Sequence, residues 1–202
     1  MTIYLAENTN QTPRDLLPGF YRQYGLEDDG GHSSSHVKIE FTGKISLYFP
    51  NFNARRKAVF KHDVHHIATG YTSKFKGETE IGAWEIASGC RHYWVAFLLD
   101  LHAMVIGILF NPAGVYRAFL KGRRTHNLYR DDFTDGELMD MPVAEIRKNM
   151  LLTDYPPGKK GNLADLILFL LTALLGAVYS VLSLLLLPFI IAYTIFIISK
   201  KK

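Results

Sequence analysis

The stretch RRKAVFKHDVHHIATG, residues 55 to 70, decides what kind of chain this is. Ala58, Val59, Phe60, Val64, Ile67 and Ala68 recur at helical spacing, and Gly70 is a suitable C-terminal stop. At about 100° per residue, His62 and His66 fall about 40° apart, and Asp63 lies about 100° from His62 on the same side. One helix face therefore offers two imidazoles and a carboxylate. A second helix is expected from near Gly77 to about Ser88, with Glu78 early in it, where a helix N-terminus favours negative charge. Glu85 falls within about 20° of Glu78 on that helix. A helical hairpin through residues 70–77 brings the two stripes together on one metal ion. Two imidazoles with one or two carboxylates suit zinc first, with iron or manganese as alternatives where coordination positions stay open. His65, about 60° to the other side of His62, is expected behind the ligands or at the surface.

Outward from this block the chain reads as mainly α. Residues 1–35 are polar and turn-rich, and Asp28-Asp29-Gly30-Gly31 with Ser33-Ser34-Ser35 reads as an exposed loop. Val37, Ile39 and Phe41 alternate with Lys38 and Glu40. Thr42-Gly43-Lys44 then turns into Ile45, Leu47 and Phe49, so a β-hairpin is expected over about 36–49, ending at Pro50. Tyr93 to Phe110 is apolar nearly throughout, but Asp100 and His102 make it a buried core helix rather than a span. A basic, aromatic stretch from Tyr116 to Arg130 and an acidic loop precede a helix from Pro142 to about Leu152. Residues 1–154 form one domain on this reading, followed by a linker at 155–162.

The apolar fraction of 48% is an average over two solvents. From Leu166 to Ile198 only Thr172, Gly176, Ser180, Ser183, Pro188 and Thr194 interrupt the apolar run, which reads as a membrane segment over 163–199 with a basic tail at 200–202. As one helix it would be about 50 Å long, against about 30 Å of hydrocarbon. The preferred reading is a hairpin bending between Gly176 and Pro188, with one long tilted helix as the alternative. Lys159 and Lys160 before it and Lys200 to Lys202 after it place both flanks, and the metal-site domain, on the cytoplasmic side, the inner membrane in a bacterium. The formal net charge of +4 sits largely in that tail, and a nearly neutral remainder argues against nucleic acid as a partner. The single cysteine, Cys90, fits a reducing compartment. The N-terminal MTIYLAENTNQTPRD lacks the look of a secretory signal or a transit peptide, so a membrane address is expected at the other end.

The spacing His-Asp, two residues, His, eleven residues, Glu, here His62, Asp63, His66 and Glu78, resembles the motif of the Coq-four family of ubiquinone (coenzyme Q) biosynthesis proteins. Gly70, Gly77 and Glu85 accompany it. Gly122-Arg123-Arg124, Asn127-Leu128-Tyr129 and Ile146-Arg147 resemble the family's basic, aromatic region, so the likeness covers roughly residues 50 to 152. The resemblance implies that His62, Asp63, His66 and Glu78 hold zinc or another divalent metal. It also implies work on a polyprenylated benzenoid quinone precursor: oxidative removal of a ring carboxyl with hydroxylation there, or a role organising other quinone-biosynthesis proteins. Within it, Asp63 is expected either to bind the metal or to orient a histidine, and Glu85 to accept a proton.

An apolar tunnel along Trp94, Phe97, Leu98, Leu99 and Leu101 would suit a prenyl tail. A non-catalytic lipid-binding scaffold is the alternative from another class. An HD-type metal phosphohydrolase built on His36, His62, Asp63 and Asp100 is weaker. The histidine boxes of desaturases, with HSSSH at 32–36 as one box, are weaker still. Arg123, Arg124 and Lys121 suit anionic headgroups, an acidic partner or plain solvation. Cys90, without a second cysteine, is not expected to be a nucleophile.

Overall fold

The structure, a computed structural model, describes residues 10–40, 46–90, 92–156 and 158–200. It is mainly helical, with one small sheet and one long apolar C-terminal helix. The expected hairpin turn at Thr42-Gly43-Lys44, with Phe41 and Ile45, lies outside the described residues, as do the first nine residues, Arg91, Pro157 and the last two lysines.

The first helix, α1 (Pro13–Tyr24), falls in a region read as polar loop. Thr12 and Asp15 form a capping box, Pro13 occupies the first turn, and Gly25 closes the helix in the left-handed conformation. Leu16, Leu17, Phe20 and Tyr21 supply a buried face among the polar residues. The expected hairpin follows as β1 (His36–Glu40) and β2 (Ser46–Pro50), antiparallel, with Val37 opposite Phe49 and Ile39 opposite Leu47.

The histidine helix, α2 (Asn53–Thr69), ends where expected. Gly70 at φ 79° donates its N–H to His66 O. Next, α3 (Phe75–Ser88) starts two residues before the expected Gly77. A Cβ on Gly77 would lie 1.9 Å from Thr72 O, so only glycine lets the turn close this tightly under α3. At the centre, α3 packs against both α4 (Trp94–Phe110) and α5 (Pro112–Gly122), while α2 lies against α1, α4 and α7 (Val143–Asn149). The short α6 (Asp135–Asp140) starts at a Thr134–Glu137 capping box inside the stretch read as an acidic loop. Trp84, Phe119, Leu128 and Ile146 are fully buried, and Trp84 Nε1 donates to Thr125 Oγ1 at 2.9 Å.

The C-terminal segment does not fold back as a hairpin. The helices α8 (Leu163–Ser183) and α9 (Leu187–Ser199) are joined by a single 3-10 turn at Leu184–Leu186, and together they run as one helix of 37 residues. Pro188 sits in the first turn of α9, where its missing N–H is tolerated. The helix is about 55 Å long at about 1.5 Å per residue, and it is attached to the domain along its length. Arg123 and Arg124 hold Asp165 near its start. Phe169 packs edge-on against Tyr116 and Phe119. Gly176 approaches Leu101 and Val105, and Ser180 bonds His102 at 2.9 Å. Near the end, Thr194 Oγ1 accepts from Tyr48 N–H at 2.9 Å. One stripe of small and polar residues, with Phe169 among them, thus faces the domain, while the leucines and isoleucines of the other faces are exposed.

The expected core helix at 93–110 is only half core. Asp100, Leu101 and Met104 are buried, but Trp94, Leu99, Ile106, Leu109 and Phe110 are exposed. Those five lie within about 80° of His102 around the helix, flanking the strip that α8 covers.

Candidate metal centre

Three of the four motif side chains converge: His62 and His66 from α2 and Glu78 from α3. The two Nε2 atoms are 3.1 Å apart. Glu78 Oε2 lies 3.4 Å from His62 Nε2, and Glu78 Oε1 lies 3.3 Å from His66 Nε2.

The partners of the other ring nitrogens fix what faces inward. His66 Nδ1 lies 2.9 Å from Tyr71 O, which only accepts, so Nδ1 carries the hydrogen. His62 Nδ1 lies 2.9 Å from Glu85 Oε1, again an acceptor when ionised. In the neutral rings both Nε2 atoms therefore present lone pairs to each other and to a carboxylate. Such an arrangement repels unless a proton or a cation sits within it. Without a metal, burial opposes charge on His62, but Glu85 and then Glu78 outweigh it and raise its pKa well above the usual value. Burial likewise opposes charge on Glu78, and its contacts with His62 and His66 hold it well below the usual carboxylate range. These three residues could hold a divalent cation, and both Nδ1 atoms lie against oxygen acceptors, the arrangement common for ligating histidines.

Glu85 is fully buried behind this centre. Its Oε1 accepts from His62 and, at 2.6 Å, from His65 Nδ1, while Oε2 accepts from Tyr129 Oη at 3.4 Å. His65 is buried rather than at the surface, and its Nε2 accepts from Leu128 N–H at 2.9 Å. Lys61 donates to the carbonyls of Leu128, Asp131 and Phe133, fixing the loop that carries Leu128 and Tyr129. Glu85 is thus brought to the histidines as expected, with the geometry of a group that orients them.

Asp63 does not orient a histidine. Its Oδ2 accepts from Tyr21 Oη at 3.0 Å, and among the described residues it joins neither set of converging ligand atoms. Burial raises its pKa to about 6, against the pull of His62 and His66. The Tyr21 partnership was not visible in the sequence, because α1 was not.

A second set of ligand atoms comes from His62, Glu85 and Asp100. Asp100 is buried on α4, and burial followed by the Glu85 carboxylate raises its pKa well above the usual value. The signal for it was an ionisable residue inside an apolar run. Of the HD set, the structure draws Asp100 toward His62, but His36 lies tilted against the Tyr48 ring in the hairpin and joins neither group. Cys90 is buried with Sγ 3.7 Å from Asp100 Oδ2, and burial pushes its thiol up, as suits an inert cysteine.

A cavity of about 190 Å³ opens over His62, Glu78 and Glu85. Arg55 stands in its wall, and Val95, Leu99 and Ala103 of α4 supply its apolar side. Among the described residues, the five expected to line a tunnel do not share one cavity of those found. Of its five residues only Leu99 reaches this cavity, while Trp94 lines a separate depression beside Asn53 and Leu101 is buried. Leu99 is 51% exposed, so the cavity meets the outer apolar strip of α4. The chain matches no family model, no curated protein and no solved structure.

Proposed function

We propose that the chain is a membrane-bound, metal-dependent protein that processes a polyprenylated benzenoid quinone precursor, as its resemblance to the Coq-four family implies. The observation that carries this reading is the pair of Nε2 atoms 3.1 Å apart beside the Glu78 carboxylate, a donor set that a divalent cation would complete. His62, His66 and Glu78 would hold the ion. Three protein ligands leave a position open, which suits catalysis better than a closed structural site. The metal, zinc or alternatively iron or manganese, would supply a Lewis acid, or with iron or manganese a redox centre, next to the substrate ring.

The chain's own residues then have distinct tasks. Glu85 fixes the His62 tautomer and, lining the cavity, is the proton acceptor of this proposal. Asp63, kept by Tyr21 outside the three-ligand set, supports α2 from behind. Arg55 offers a guanidinium to a ring carboxylate entering the cavity. The cavity has room for a ring-sized group but not for a prenyl tail, so the tail would leave past Leu99 along the apolar flank of α4 and α8. The long apolar helix keeps such a substrate and the site together at the membrane, with the domain on the cytoplasmic side. Complementation tests this. A quinone-deficient strain should be rescued by the wild type and not by His66→Ala at equal membrane abundance. Rescue by metal-free His66→Ala would instead favour the scaffold that gathers other quinone-biosynthesis proteins.

A further inference from the structure

A cavity of about 610 Å³ lies apart from the histidine site and shares no lining residue with it. Its walls are α5, Tyr71 and residues 158–161, the segment that leads into α8. Four cations line it, Arg117, Lys121, Lys159 and Lys160, against the carboxylate of Glu80. Glu80 Oε1 already accepts from Asn111 Nδ2 at 2.8 Å. Among the described residues none of the four cations makes an ion pair.

Lys121 is the cation of this set that sits over an aromatic ring. Half-buried, its Nζ lies 5.2 Å from the centroid of the Tyr71 ring. Burial, and then the nearby Arg147, lowers its pKa to about 8. Arg147 in turn has its buried Nε without a hydrogen-bond partner among the described residues. A half-buried ammonium without an anion is costly, and an anion bound in the cavity relieves Lys121. Tyr71, Tyr116 and Tyr155 also line it. Gly161 presses against α5, where a Cβ would meet Tyr116 Oη at 2.6 Å, so Lys159 and Lys160 belong to a pinned segment. The apolar helix begins immediately afterwards, at Leu163.

We propose that this cavity binds the phosphate of an anionic glycerophospholipid, with Lys121, Lys159 and Lys160 as its cationic contacts and the acyl chains lying along the exposed leucines of α8. The proposal rests on the membrane reading of that helix, which places the cavity at headgroup level. A soluble phosphate shares the chemistry, so the test must separate the two.

Full-length protein in neutral detergent is titrated with dihexanoyl phosphatidylglycerol, dihexanoyl phosphatidylcholine and inorganic phosphate, followed by native mass spectrometry. Saturable binding of the phosphatidylglycerol is expected, at least about tenfold tighter than the other two. Lys121→Met, and separately the double variant Lys159→Ala/Lys160→Ala, should each weaken it by about tenfold or more, while the exposed Lys148→Ala should not. Equal affinity for phosphatidylcholine, or no loss in either lysine variant, overturns the proposal. Inorganic phosphate bound as tightly as the lipid overturns the lipid source. Reconstitution of the wild type into neutral phosphatidylcholine vesicles reads the membrane assignment by itself. Protein that inserts there but shows no headgroup preference refutes the cavity and leaves the membrane reading standing.

Discussion

His62 donates through Nδ1 to a buried carboxylate and turns Nε2 toward His66 and Glu78, so its role depends on Glu85 as much as on its own ring. Replacing Glu85 by Gln removes the charge that holds His62 and His65, and is expected to weaken zinc binding by about 10- to 100-fold in a chelator competition. An unchanged affinity would separate Glu85 from the metal centre. Tyr21→Phe should behave differently. Removing the Tyr21 Oη contact with Asp63 is expected to cost about 1 kcal/mol of stability with the metal content kept, because Asp63 stands outside the converging set. Metal loss in Tyr21→Phe would show that Asp63 is a ligand. Lys121 gives a pH signature. Its pKa is about 8 in the fold, below the ordinary 10.5, so between these values the unfolded chain binds more protons and stability rises with pH. The thermal midpoint in neutral detergent should therefore climb from about pH 8 to about pH 10, less steeply in Lys121→Met. A bound anion should flatten the slope by favouring the ammonium.

At the level of elements, the turn between α2 and α3 decides whether Glu78 reaches the histidines. Any Cβ on Gly77 collides with Thr72 O. Gly77→Ala is accordingly expected to cost about 1–3 kcal/mol and to lower metal occupancy. Full occupancy would mean that the turn is not what aims Glu78. The two helices that carry the motif were legible from the 62–66 and 78–85 spacings, and Gly70 marked where the first one stops. α1 was hidden because the buried Leu16, Leu17, Phe20 and Tyr21 sit in a polar stretch, and only Thr12-Pro13-Arg14-Asp15 announced a helix start. The Asp63–Tyr21 and Glu85–Asp100 contacts join residues far apart in the chain, which no local period encodes. The C-terminal hairpin expectation rests on the length of the apolar run and on the lysines at both of its ends. Instead, a 3-10 turn absorbs Pro188 and the helix continues, with Gly176, Ser180 and Thr194 used for docking.

For the whole molecule, the distribution of exposed apolar surface is the informative feature. It covers the outward faces of α8 and α9 and continues onto the flank of α4, where the cavity beside the histidines opens at Leu99. The two tryptophans sample the two environments, Trp94 at 56% exposed on that flank and Trp84 fully buried. In vesicles with brominated acyl chains, Trp94 emission should be quenched in Trp84→Phe, and Trp84 emission should persist in Trp94→Phe. Equal quenching in both would contradict this orientation. The central claim, that His62, His66 and Glu78 hold a metal, is tested most directly by the metal content of detergent-purified protein. The expected result is close to one divalent ion per wild-type chain and almost none in His66→Ala of equal thermal stability. Equal metal in the two proteins would contradict it.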